Sequence, residues 1–219
     1  MSNAIDEALD SRLLHRMLFF TDAVFAIVLT LLALELKAPE TLAEANAETL
    51  ARTAGHIGAF AFSFAIISVF WMAHMNTTRR LIRFDWPTAF ANLVYLLPIC
   101  LLPFATAWLG VSISDSFVWG LYCTVLVTIS AAGIVLVLTA YRGAGKLVGG
   151  DPTGRERGYR LLRAAAPGIA FSAGLLGLAV GQSILAHLCW ALIPIVFWVA
   201  ARVLGPGRKA RREVEVEAA

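Results

Sequence analysis

Asp22 sits where a carboxylate is least expected. It lies in the run Arg16 to Lys37, about 20 mostly apolar residues and long enough to cross a bilayer as one helix. An ionisable group left unpaired in hydrocarbon costs several kcal/mol, so such a residue marks a functional position by default. Two more polar groups come to the same level. At a rise of about 1.5 Å per residue, Asp22 lies roughly 9 Å beyond Arg16, His74 about 7 to 8 Å from Arg79, and Asn92 some 10 Å beyond Asp85. A carboxylate, an imidazole and a carboxamide from three different spans can satisfy one another. Thr21 adds a hydroxyl beside Asp22, and Arg16 can reach up or stay at the interface. Two readings follow: a hydrogen-bonded knot that locks three helices, or a knot that also couples the first helix to gating or protonation. Farther along the same span, Ile27, Leu31 and Leu34, with Thr30 beside them, form one narrow stripe on a helix face. A ring of uncharged aliphatic side chains is how a dewetting gate is built, and a threonine next to it can replace part of a cation's hydration shell. The same spacing also describes ordinary helix packing.

These residues are carried by a chain built for a membrane. It is 59% hydrophobic and 15% charged, with mean hydropathy +0.74, against about 25% charged in an ordinary soluble domain. Six apolar segments of spanning length are expected, near 17–36, 57–75, 87–109, 117–141, 164–185 and 188–204. The fold class is therefore an all-α membrane protein of six transmembrane helices. The first apolar run is too long and too polar-interrupted for a removable signal peptide. Sixteen of the 18 Lys and Arg fall on one side if the N-terminus is inside, with only Lys37 and Arg52 on the other. This positive-inside bias places both termini in the cytoplasm. The net charge of +3 reflects that topology and not nucleic-acid binding; the basic tail either serves orientation alone or also binds anionic membrane lipid.

Between the first two spans, Pro39 stops the helix and Thr41 with Glu44 forms a T-x-x-E capping box. Glu35, Glu40, Glu44 and Glu48 make that segment acidic, either as a rim that concentrates cations or as a solvated helix face. Trp71 and His74 lie near the inner end of the second span. In the third, Pro87 suits a first turn, whereas Pro98 and Pro103 should bend the helix. The fourth span, with Ser130 to Gly133 as a close-packing patch, reads as structural. The loop Arg142 to Arg163 is glycine-rich and basic, with Thr153 to Glu156 as a further candidate cap. In the fifth span Ala173 or Gly174, with Gly177 and Gly181, stands at small-xxx-small spacing for close packing. The tail from 206 onward is charged and disorder-prone.

The chain has no GxGxxG after a strand, no Walker loop, no GxSxG and no HExxH, so no readable enzyme class is supported. Cys100, Cys123 and Cys189 are odd in number and within spans, which favours free thiols. His15, His56 and His187 read as interfacial or loop residues. There is no TVGYG-like carbonyl filter.

The segment Arg16-Met-Leu-Phe-Phe-Thr21-Asp22 resembles the RxxxFSD signature of the transmembrane protein 175 family of lysosomal and prokaryotic potassium channels. The following AVFAIVLTLLALEL is similar to the family's first helix. WMAH places Trp71 and His74 on the family's Trp and His, FANL places Asn92 on its Asn, and Leu102 to Phe104 match its LPF. Thr21 stands where the signature usually has Ser and keeps the hydroxyl. The resemblance covers the first half of the chain well and the rest by span count. It implies a potassium-selective channel, a homotetramer of six-span chains whose first helices line a central pore, and no cofactor beyond permeant K+. Ile27 then matches the narrowest hydrophobic constriction, Thr30 the selectivity-linked hydroxyl, and Leu31 and Leu34 further hydrophobic layers, so the K+ path runs near Ile27 and Thr30. Arg16, Thr21, Asp22, Trp71, His74 and Asn92 match an interhelical network. The implied organisation is a cytoplasmic segment 1–15, a channel domain 16–205 and a cytoplasmic tail 206–219, in a prokaryotic plasma membrane. The alternative is a proton-coupled secondary transporter with Asp22 and His74 as its relay. The absence of an inverted repeat and of matched broken helices counts against it.

Overall fold

The computed structural model describes residues 2–36, with side chains from residue 7, and residues 46–142, 147–149 and 154–204. The T-x-x-E box, the Thr153 cap and the tail from 206 lie outside the described residues, as do Lys37, Glu40 and Glu44. The described residues are mainly helical: α1 (Ser2–Leu34), α2 (Ala47–Thr78), α3 (Trp86–Cys100), α4 (Leu102–Val111), α5 (Ser116–Ala140), α6 (Gly154–Ala179), α7 (Ser183–Leu188) and α8 (Leu192–Val203). With α3–α4 and α7–α8 each counted as one span, six helices are long and apolar enough to cross a membrane. The protein is an integral, multi-pass membrane protein.

Local chemistry sets the ends. Asn46 starts α2, its Oδ1 accepting from the amide of Thr49. Asp85 starts α3 by accepting from the Thr88 amide, and Pro87 occupies the first turn where no amide donor is needed. Asp115 starts α5, its Oδ1 accepting from the amides of Phe117 and Val118 at 2.8 and 3.1 Å. The third span is interrupted at Leu101, between Pro98 and Pro103, where a bend is expected. The bend stays helical: the Leu101 amide reaches Pro98 O at 3.2 Å and the Ala105 amide reaches Leu101 O at 3.1 Å.

The fifth and sixth spans divide earlier than hydropathy suggests, at Val180–Gln182 and not near 186. Gly181, at φ +75°, closes α6: the Gln182 amide reaches back to Gly177 O at 2.8 Å and the Gly181 amide to Leu178 O at 3.1 Å, a Schellman turn. Gly181 is thus a turn residue and not a packing residue. The close approach falls to Gly174 and Gly177, where an added Cβ would lie 2.7 Å from Cys189 Sγ and 3.1 Å from the Ala186 backbone. A break within α6 is repaired from outside. Pro167 removes one amide donor, and the Ser130 hydroxyl of α5 donates to Ala164 O at 2.9 Å while accepting from the Gly168 amide at 2.7 Å.

The main core runs down α5 through Trp119, Tyr122, Leu126 and Ile129, against Phe25, Val28 and Leu32 of α1, Ile67 and Phe70 of α2, and Phe171 of α6. Phe25, Val28 and Leu32 recur at i, i+3 and i+7, the spacing of one helix face. That face of α1 is fixed in the subunit, and the opposite face is left over.

Candidate functional site

The polar residues singled out in sequence meet in two groups and not in one knot. In the first, the His74 Nε2–H donates to Asn92 Oδ1 at 2.8 Å, the Asn92 amide donates to Thr21 Oγ1 at 2.7 Å, and the Thr21 hydroxyl donates to Met17 O at 3.0 Å. This orientation gives every group in the chain a partner with donor facing acceptor. Thr21, His74 and Asn92 are all buried, and three helices are thereby joined through one carboxamide. Around them the His74 ring stacks on Tyr95 at 5.4 Å, and Tyr95 donates to Phe70 O at 3.1 Å. The cavity beside His74 is about 10 Å³, room for about one water. No hydrated ion fits there.

In the second group, Trp71 Nε1 donates to Asp22 Oδ1 at 3.0 Å on the exposed side of α1. Asp22 bonds to neither His74 nor Asn92, contrary to the three-way knot expected from depth. Successive residues of a helix are turned by about 100°, so Thr21 faces the interior and Asp22 does not. Arg16 is exposed and forms no hydrogen bond or ion pair among the described residues. A stability difference follows. Asn92→Ala orphans the His74 donor in a buried place and should cost about 1–3 kcal/mol, whereas Asp22→Ala frees only a half-buried indole and should cost less than about 1 kcal/mol. Thermal unfolding in detergent checks this, and equal losses, or the reverse order, would refute the division into two groups.

Ile27, Thr30, Leu31 and Leu34 lie together on the leftover face of α1. Ile27 is 57% exposed, Leu31 40% and Leu34 73%, against 2% or less for Phe25, Val28 and Leu32. The Thr30 hydroxyl donates to Ile27 O at 2.8 Å. Its proton is thus occupied and its oxygen lone pairs remain available on the open face. Of the acidic segment, Glu48 pairs with Arg52 at 2.6 Å on the surface, which reduces the charge it offers to a passing cation.

Two polar clusters escaped the sequence reading. Thr106 of α4 donates to Ser63 Oγ of α2 at 2.8 Å, and Ser63 meets the Tyr122 hydroxyl of α5 at 2.9 Å, all three buried. Single hydroxyls within apolar runs carry no marker of partnership. At the arginine-rich end, Arg80 Nη1 donates to both Glu156 oxygens at 2.7 Å and its Nη2 to Gly149 O at 2.8 Å. Arg160, only 2% exposed, donates to Glu156 Oε1 at 2.7 Å with its guanidinium over the Tyr141 ring. Arg142 pairs with Asp85 nearby. The Glu156 cluster and an antiparallel bridge between Leu81 and Val148 tie the end of α2 to the start of α6. Among the described residues no group of His, Cys, Asp and Glu is arranged to hold a metal ion.

Known proteins are similar in sequence to part of this chain. Two bacterial relatives, both named potassium channels, come from Chryseobacterium sp. (strain P1-3) and Streptomyces collinus (strain DSM 40733 / Tue 365). The first is 32% identical over 93 residues, 42% of this chain and 47% of its own length. The second is 32% identical over 92 residues, 42% of this chain and 45% of its own length. The chain thus spans about half the length of the curated relatives it matches. The match to the family described as endosomal/lysosomal potassium channel TMEM175 covers residues 16–103. That stretch takes in α1 to the start of α4 and includes Arg16, Thr21, Asp22, Ile27, Thr30, Leu31, Leu34, Trp71, His74 and Asn92, while α5 to α8 lie beyond it. From Arg16 to Pro103, therefore, this chain is similar to the TMEM175 potassium-channel family, as its signature indicated.

Proposed function

We propose that the protein is the subunit of a potassium-selective cation channel. Four copies place α1 around a central axis, with Ile27 at the narrowest level and Leu31 and Leu34 as further apolar layers. The observation that carries this reading is the division of α1 into a buried face and an open one, with Ile27, Thr30, Leu31 and Leu34 on the open side. Two features support it. The subunit interior beside His74 has no room for a hydrated ion, which favours a pathway between copies. The Thr30 oxygen presents lone pairs and not a proton, the polarity a cation requires in a chain without a TVGYG-type filter. The similarity to proteins named potassium channels supports K+ as the permeant ion.

The Thr21–Asn92–His74 chain and the Asp22–Trp71 pair act, in this reading, as positioning contacts that set the rotation of α1 and hence what the open face presents. The carrier alternative has less support. Asp22 and His74 fall into separate hydrogen-bonded groups, although the sixth span is interrupted at Cys189–Ala191 as the third is at Leu101, so broken helices do not decide between the two readings. The direct test is the reversal potential of reconstituted protein in a potassium–sodium gradient. Thr30→Val removes the hydroxyl at nearly constant shape, so it should lower potassium-over-sodium permeability while leaving a tetramer by mass photometry. A correctly assembled Thr30→Val protein with unchanged selectivity would count against α1 as the ion pathway.

A further inference from the structure

A groove of about 490 Å³ opens at the end of the bundle opposite the arginine cluster, lined by Ala107, Trp108, Val111, Ser112, Asp115 and Val118. Its one charge is Asp115, whose Oδ1 is spent on the α5 amides while Oδ2 makes no hydrogen bond among the described residues. No ion pair among the described residues includes Asp115; Arg52, at the same end, is held by Glu48. Below the carboxylate runs an apolar track. Leu97, Leu101, Phe104, Trp108 and Val111 are all exposed and share one face of α3–α4. Phe104 lies 6.1 Å from Trp108, and Trp108 lies 6.3 Å from Phe117. Fourteen residues of helix measure about 21 Å, on the order of one extended acyl chain.

From this juxtaposition we propose that the groove is a binding site for a phospholipid whose headgroup carries a primary ammonium. The ammonium donates a charge-assisted hydrogen bond to Asp115 Oδ2 beside the Trp108 indole, and an acyl chain lies along the Leu97–Val111 track. The volume lies in the range of small-ligand sites. A carboxylate among aromatics favours a cation over a phosphate alone, and the bare Oδ2 calls for an N–H donor, which separates a primary from a quaternary ammonium. The site does not depend on the channel reading.

Native mass spectrometry of the full-length protein in mild detergent, with phosphatidylethanolamine, phosphatidylcholine and phosphatidylglycerol of matched chains, tests it. Wild type should retain phosphatidylethanolamine about fivefold better than phosphatidylcholine, the ratio expected of one partly exposed ionic contact. Asp115→Asn keeps the helix cap, because asparagine caps as well as aspartate, and should bring the two lipids to equal retention. Ser112→Lys, which sets a competing ammonium in the groove, should do the same. Equal retention of all three lipids by wild type would overturn the proposal, as would an undiminished preference in both variants. A change of oligomeric state in Asp115→Asn with lipid retention unaltered would assign the groove to a second copy of the chain and overturn it as well.

Discussion

In planar bilayers, Ile27→Asn protein should pass at least about tenfold more current than wild type and discriminate less between potassium and sodium. The physical reason lies in the side chain that the open face of α1 presents. Ile27 is 57% exposed in the subunit, and in the proposed tetramer four such side chains around an axis would form a constriction that resists wetting. A carboxamide of similar size holds water there. Removing about 1.4 kcal/mol from the barrier to hydrating the constriction is enough for a tenfold increase, and ions that keep their hydration shells are poorly distinguished. The neighbouring substitution Val28→Asn falls on the buried face; it should destabilise the subunit without opening a leak. If Ile27→Asn protein of native assembly carried wild-type current with wild-type selectivity, helix one would not line the pathway.

Glu156→Gln should be the most destabilising single substitution at the arginine-rich end. It leaves Arg160, only 2% exposed, without that counter-charge; because Glu156 itself is 24% exposed, the loss should fall near the low end, about 3 kcal/mol, of the cost of breaking a buried pair. That is a large fraction of the roughly 5–15 kcal/mol that holds most domains. The Arg80 side of the cluster contributes less, because Arg80 is 38% exposed and solvent screens it. Thermal unfolding in detergent should therefore rank Glu156→Gln well below Arg80→Gln. Adding Arg160→Met to Glu156→Gln should restore most of the loss, since a long apolar side chain can cover Tyr141 without needing a charge. Equal melting of Glu156→Gln and Arg80→Gln would show that Arg160 does not depend on Glu156.

What could be read in the sequence was depth, and what could not was direction. Rise per residue put Asp22, His74 and Asn92 at one level, and His74 and Asn92 do bond there. The third partner is Thr21, named only as Asp22's neighbour, because one residue of helical rotation sends Asp22 to Trp71 instead. Hydropathy located six spans but misplaced the last division, because the run through Ala179 to Leu185 stays largely apolar and only the positive φ of Gly181 marks the turn. Arg80 and Glu156 lie 76 residues apart; Arg80 was counted for topology and Glu156 was read as part of a helix cap, and nothing in the sequence paired them. Ser63, Thr106 and Tyr122 were invisible for a related reason: a hydroxyl in an apolar helix usually bonds its own backbone, and only the helix register shows which ones reach across.

The two bent spans differ in where their bends are held. The prolines of α3 and α4 make their own bend, so that span keeps its shape wherever it travels. The discontinuity at Pro167 is spliced by a hydroxyl belonging to α5. Sliding α5 against α6 would break both hydrogen bonds at once, in a medium that offers the Ser130 hydroxyl no replacement. The two helices are therefore tied at mid-span, whereas α1 packs on α2, α3 and α4 and lies outside that tie.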